Sequence, residues 1–316
     1  MNLPEDALPE KPVEFQKPEP GSEKTNILKT VISLAVYIGV YFLLLRGHLS
    51  SILLLVIVIF LHEMGHFIAM KRFGYRDVQM FFIPFMGAYV SGEPHRVSQF
   101  QKAITLMAGP IPGIILGLIF GWLYFQTGHQ FYFQASILFL LLNVFNLLPV
   151  SPLDGGQLME TIFFHSNRSI QTLFILASSI LLAVFAIRSK QWLFLILVPL
   201  LLIRLRSMNN LGRIRKQLDA EGVNYHQTYE ELSTEEYWKI RKAMIPCTRQ
   251  LRDLDPEKPD EDEEAVIGYM KPVLNPASQQ DLSSVQKLLI FSIWLAGLIL
   301  PVFFYYYFDL RHYIRF

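Results

Sequence analysis

Cysteine is almost absent from this sequence: there is one, Cys247, in 316 residues. A single thiol excludes an internal disulfide framework and any zinc site built on cysteines. A bound metal would need histidine and carboxylate ligands. Net charge is missing too. The 28 Lys and Arg against 27 Asp and Glu leave a formal +1, which excludes the strongly basic surface that a nucleic-acid partner calls for. The first residues lack the pattern of a cleavable signal peptide. Residues 1–25 are polar and carry Pro4, Pro9, Pro12, Pro18 and Pro20, the composition of a disordered tail. No internal repeat is visible.

Apolar sequence is what the chain has in excess, at 52% of residues. A helix needs about 20 consecutive apolar residues to cross a bilayer. Runs of that kind fall at 27–45, 50–70, 103–125, 132–149, 169–187, 191–205 and 286–308, with 191–205 the shortest. The fold expected is an all-α polytopic membrane protein of about seven transmembrane helices. A short interfacial β-hairpin and a small cytosolic domain complete it. The boundaries read as a tail at 1–25, a core at 26–206, a polar domain with an acidic linker at 207–284, and a last helix at 285–316. Gly109, Gly113, Gly117 and Gly121 recur every fourth residue and predict one closely packed helix face rather than chemistry. Pro110 and Pro112 predict a distortion where that helix begins.

Orientation follows from basic residues in the loops. Lys71, Arg72, Arg76, Arg96 and Lys102 flank one loop, and Arg206, Arg213, Arg215 and Lys216 follow the sixth run. Both belong in the cytosol if the N-terminus does. Between them, 74–98 is interrupted by Pro84, Gly87 and Gly92 and reads as short extended segments at the membrane interface. In the polar domain, Ser233 and Glu236 have the spacing of a capping box for a helix to about Lys242. Asp255 to Glu264 is acidic and reads as a linker.

His62, Glu63 and His66 lie near the end of the second run. In a helix, residues i and i+4 share a face. Two imidazoles so placed can bind one Zn²⁺, with Glu63 in reach of a water on the metal. Ionisable groups within the membrane cost roughly 2.5–3.5 kcal/mol each on insertion scales, so three in five residues call for a function. Helix-end residues bonded to neighbouring helices are the bland alternative. Asp154, after the fourth run, reaches the same membrane face and is the candidate third ligand. It has the right chemistry for a helix N-cap as well. Zn²⁺ with ionised Asp154 and Glu63 sums to zero charge, which favours the ligand reading in a low-dielectric site. His95, His129 and His165 read as loop or interfacial residues.

The motif His62-Glu63-Met64-Gly65-His66, the run Ala108-Gly109-Pro110, and Asn146-Leu147-Leu148-Pro149 followed by Leu153-Asp154-Gly155-Gly156 together resemble the site-2 protease family of intramembrane zinc metalloproteases. The resemblance covers about 50–160. It implies zinc on His62, His66 and Asp154, with Glu63 as general base. It also implies a role for Asn146 near the substrate or the developing oxyanion; an interhelical hydrogen bond suits Asn146 as well. Many relatives carry Asn three residues after the Gly-Pro pair, where this chain has Gly113. A PDZ-type insert is not apparent.

The expected reaction is hydrolysis of a peptide bond in a membrane-spanning helix of another protein, near the cytosolic face. The substrate helix must unwind first, since its peptide groups are hydrogen-bonded to one another. The 74–98 segment then offers a strand edge, with Gly87 and Gly92 allowing close backbone approach; a hairpin that merely covers the site fits the same residues. The partners expected are protein substrates, the lipid bilayer and a regulatory partner for 207–284, in a bacterial inner membrane. A catalytically silent scaffold is the second reading, against which the retained Glu63 argues. An ion-handling transporter is the third, and it lacks paired broken helices in matching halves.

Overall fold

Long apolar runs fold as helices because the bilayer leaves a backbone no other way to satisfy its own polar groups within one segment. The computed structural model describes residues 16–18, 27–44, 49–84, 87–93, 97–164, 167–260, 263–274 and 282–307. Most of the expected tail 1–25, together with His95 and His165, lies outside them. The helices are α1 (Ile27–Leu44), α2 (Leu49–Arg72), α3 (Gln99–Ala108), α4 (Pro110–Thr127), α5 (Gln130–Asn146), α6 (Asp154–Met159), α7 (Arg168–Ser189), α8 (Leu197–Ala220), α9 (Thr234–Met244), α10 (Glu263–Met270) and α11 (Ser284–Tyr307). Strands β1 (Arg76–Ile83) and β2 (Gly87–Glu93) form an antiparallel hairpin between α2 and α3.

Among the described residues, four helices are long and apolar enough to cross a membrane: Ser50–Arg72, Gln99–Thr127, Arg168–Ser189 and Ser284–Tyr307. Leu28–Leu43 and Gln130–Asn146 are apolar but shorter. The seven expected spans are therefore not reached by length and composition. The 191–205 run is not a helix of its own: Trp192–Ile196 is a 3-10 turn, and α8 carries the rest onward into charged sequence. The chain is an integral membrane protein, and its outer flanks keep the apolar surface that lipid covers. Leu173 and Ile180 on α7 are 67% and 65% exposed, a costly arrangement in water.

Two compact units emerge among the described residues, one within 27–206 and 282–307 and the other within 207–274 together with 16–18. The membrane unit has two buried clusters. Tyr37, Ile52, Val56, Val78, Met80 and Phe82 join α1 and α2 to the hairpin; Leu106, Ile114, Leu140, Leu147, Leu158 and Trp294 join α3–α6 to α11. The outer edge of β1 is taken by α1: Thr30 Oγ1 donates to the Met80 carbonyl at 2.8 Å, and Phe82 N–H donates to Ser33 Oγ at 3.2 Å. Met80 is paired with Val90 and Phe82 with Ala88. Backbone groups of directly opposed residues both point inward or both outward in an antiparallel ladder. Ala88 and Val90 thus direct theirs to the outer edge of β2.

The stretch between α5 and α6 is tied down from several sides. Trp294 Nε1 of α11 donates to the Leu147 carbonyl at 2.8 Å, and Ser151 N–H donates to Ser178 Oγ of α7 at 3.1 Å. Arg204 of α8 donates to Glu160 Oε2 and to Ser151 Oγ, both at 2.6 Å. Glu160 opens a π-helical turn, Glu160–Phe164, and is buried.

In the polar unit, Ser233 and Glu236 form the capping box, and α9 follows it to Met244. Lys17 donates to the carbonyls of Tyr229 and Leu232 at 2.9 and 2.8 Å. Two residues of the acidic stretch meet Arg241. Arg241, fully buried, donates to the Asp255 carbonyl and pairs with Glu263 at 2.8 Å. A buried guanidinium needs such acceptors, and they draw Glu263 into the start of α10.

Candidate metal centre

The site begins with α2. Its helical period stacks His62 over His66, both buried, with ring centroids 4.9 Å apart. The α3–α4 break crosses beside them. Pro110 is the first residue of α4, as its missing N–H favours. The helix therefore restarts at Gly109, and the last carbonyls of α3 lose their intrahelical partners. One of them, Thr105 O, accepts from His66 Nδ1 at 2.8 Å. Contact at this crossing is backbone on backbone. A Cβ on Gly65 would overlap the Ala108 carbonyl, and one on Gly109 would overlap the His66 ring. The four-residue glycine spacing thus divides. Gly117 and Gly121 serve helix packing as expected, against Leu140, Ser136 and Phe304, whereas Gly109 and Gly113 abut the histidines or their partner.

Asp154 is the first residue of α6, and the N-cap is Leu153, with no side-chain capping bond. Its carboxylate turns instead to the histidines. Asp154 Oδ2 lies 3.2 Å from His62 Nε2 and 3.3 Å from His66 Nε2, and the two Nε2 atoms are 3.3 Å apart.

His62 Nδ1 is 2.8 Å from Asn143 Oδ1 on α5, while Asn143 Nδ2 donates to the Phe139 carbonyl at 2.7 Å. That second bond fixes which end of the amide is oxygen. Both imidazoles therefore face carbonyl-type acceptors through Nδ1, which must carry the proton. Both then present a lone pair at Nε2. Asp154 Oδ2 is buried with no hydrogen-bond partner among the described residues. Three acceptors converge with no proton to share, and a cation is what such a set fits. His62, His66 and Asp154 can hold a metal ion.

Glu63 is buried beside them, within electrostatic reach of all three, and the Val90 backbone of β2 hydrogen-bonds its carboxylate. Asn146 is the half-buried last residue of α5, one turn beyond Asn143. Gly87 opens β2 with φ +96° and open space where a side chain would be; Gly92 packs its vacant side against Val78 and Tyr75. Sequence reasoning singled out Asn146 and missed Asn143 and Thr105. A polar residue in the last turn of apolar α5 was the available signal for Asn143. For Thr105, it was the Gly109-Pro110 break four residues on.

Residues 50–135 match the model of peptidase family M50. Stage IV sporulation protein FB of Bacillus subtilis is 32% identical over 123 residues, which are 38% of this chain and 42% of that protein. A zinc metalloprotease of Methanocaldococcus jannaschii is 28% identical over 115 residues, 35% of this chain and 33% of that protein. The chain thus spans less than half the length of these curated relatives. The family match takes in His62, Glu63, His66, Thr105 and Gly109 and ends before Asn143 and Asp154. Over the segment that carries both histidines, the chain is related to peptidase family M50, in keeping with the resemblance of its motifs to the site-2 proteases.

Proposed function

We propose that this protein is an intramembrane zinc endopeptidase that cuts membrane-spanning helices of other proteins near the cytosolic face. One observation carries the proposal. Tetrahedral zinc with bonds of about 2.0–2.1 Å separates its ligand atoms by roughly 3.3 Å. The three atoms here are 3.2, 3.3 and 3.3 Å apart. His62, His66 and Asp154 are the ligands, leaving a fourth position for water or substrate. Zinc, when bound, supplies Lewis acidity toward water and the scissile carbonyl.

The chain's own residues do the rest. Glu63 accepts a proton from the attacking water and passes it to the leaving amine. Thr105 and Asn143 hold the imidazoles in orientation. His66 is six residues from Arg72 at the basic end of α2, about 9 Å along the axis, which supports water reaching the site from the cytosolic leaflet. An unwound substrate adds as a strand to the outer edge of β2, since α1 occupies that of β1. Gly92 and Gly87 lie along this strand, and Asn146 contacts the substrate near the scissile bond. The orientation is N-terminus in the cytosol, the location a bacterial inner membrane, and 207–284 receives a regulatory partner.

The test is zinc per chain in purified protein, with cleavage of a reporter transmembrane peptide by wild type and Glu63→Gln. The expected result is one zinc in each and at least a hundredfold loss of cleavage in the variant. A wild type that binds zinc but never cuts favours the silent scaffold. A wild type without metal ends the proposal.

A further inference from the structure

We propose that Gly113 and Asn143 form a matched pair that positions His62, with Gly113 present because the Asn143 amide occupies its side-chain space. The inference rests on His62 being a metal ligand. Asn143 is completely buried. Its oxygen meets His62 Nδ1 at 2.8 Å and its nitrogen meets the Phe139 carbonyl at 2.7 Å. The amide is thus held at both ends, and neither end can rotate away without leaving a buried polar atom unpaired. A Cβ at Gly113 would overlap Asn143 Cγ, Oδ1 and Nδ2. No other atoms are as near that position, so what Gly113 makes room for is the amide head itself. Gly117, by contrast, makes room for Leu140 and Phe139 side chains, which is ordinary helix packing. The amide standing against Gly113 comes from the neighbouring helix, α5. Asn143 is a positioning residue: it fixes the tautomer and the ring plane of His62, and it does not itself face the convergence of Nε2 and Oδ2 atoms.

The experiment is a double-mutant cycle on the full chain in detergent. Zinc affinity is read by chelator competition, the visible bands of the cobalt-loaded protein report ligand geometry, and tryptophan fluorescence on heating reports the fold. Asn143→Ala should weaken zinc about 10–100-fold, the usual effect of losing a partner of a ligand histidine. Gly113→Ala should do the same by displacing the amide. The double variant should bind no more weakly than Asn143→Ala, because the added methyl then meets no amide. Asn143→Asp keeps an acceptor for His62 Nδ1 but sets an oxygen against the Phe139 carbonyl, so its zinc affinity should fall between those of wild type and Asn143→Ala, with cobalt bands nearer wild type than those of Asn143→Ala. Wild-type affinity in either single variant, or losses that multiply in the double, would overturn the pairing. If a single variant fails to fold, the double variant decides: folding with wild-type affinity refutes a positioning role, and weakened zinc supports it. His62→Ala with undiminished zinc binding would instead refute the metal reading beneath it, and the pairing with it.

Discussion

Asp154 Oδ2 is the most telling single atom in the molecule: buried, without a hydrogen-bond partner among the described residues, and 3.2–3.3 Å from two imidazole nitrogens that carry lone pairs. A cation at the centre of the triangle is what these acceptors fit. Asp154→Asn keeps the shape and removes the carboxylate's negative charge. We expect zinc affinity to fall by at least about a hundredfold, since a charged ligand and the neutrality of the cluster go together. Equilibrium dialysis against zinc would check it, and an unchanged affinity would move the metal elsewhere. The sequence spacing placed His62 over His66 with confidence because it is local. It left Asp154 divided between ligand and N-cap. Packing makes Leu153 the cap position and turns the Asp154 carboxylate toward the histidines.

At the scale of elements, the hairpin is the piece whose two edges differ. Thr30 and Ser33 occupy the outer groups of β1, while those of Ala88 and Val90 lie on the outer edge of β2, where Val90 meets Glu63. Ala88→Pro removes an outward N–H without touching the ladder to β1. Cleavage of the reporter peptide should drop about tenfold, one lost backbone hydrogen bond at roughly 1.4 kcal/mol, with zinc content unchanged. Full activity would mean that the substrate does not use this edge. The capping box of α9 gives a second test. Burial alone would raise the Glu236 pKa, but the Ser233 backbone and hydroxyl, Gln227 and Lys239 outweigh it and lower it. A lowered folded-state pKa contributes stability above the unfolded value, about 4.3, which is lost as pH falls through the folded one. Hydrogen exchange of the α9 amides should therefore speed up as pH drops below about 4, beyond the intrinsic change in rate. Ser233→Ala should cost this helix about 1 kcal/mol at neutral pH and flatten that acid dependence.

At the scale of the whole molecule, the lone cysteine is an experimental convenience. A Cys247→Ser background carrying Lys239→Cys, an exposed position on α9, reports where residues 207–277 lie. A membrane-impermeant maleimide should label it in inverted vesicles and leave right-side-out vesicles unmarked. The opposite pattern would invert the orientation and put the site near the other face. The span count is the point on which composition and structure part. Hydropathy reads 191–205 as a span of its own, yet a helix stops at its caps and not where apolar residues thin out. α8 runs through that limit to Ala220.

By itself the sequence determined what depends on near neighbours. The 3.6-residue period stacked His62 on His66, Pro84 and Gly87 divided the hairpin, Pro110 restarted a helix, and Ser233 with Glu236 capped another. Tertiary structure decided what joins distant positions. His62 meets Asn143 across 81 residues and His66 meets Thr105 across 39. Those contacts depend on which faces of α2, α3 and α5 come together, and sequence period does not encode that choice. The His62–His66 motif thus supplied two lone pairs in reach of each other, and the packing around it fixed their tautomers, brought a third acceptor in Asp154 Oδ2, and left Glu63 beside the β2 edge.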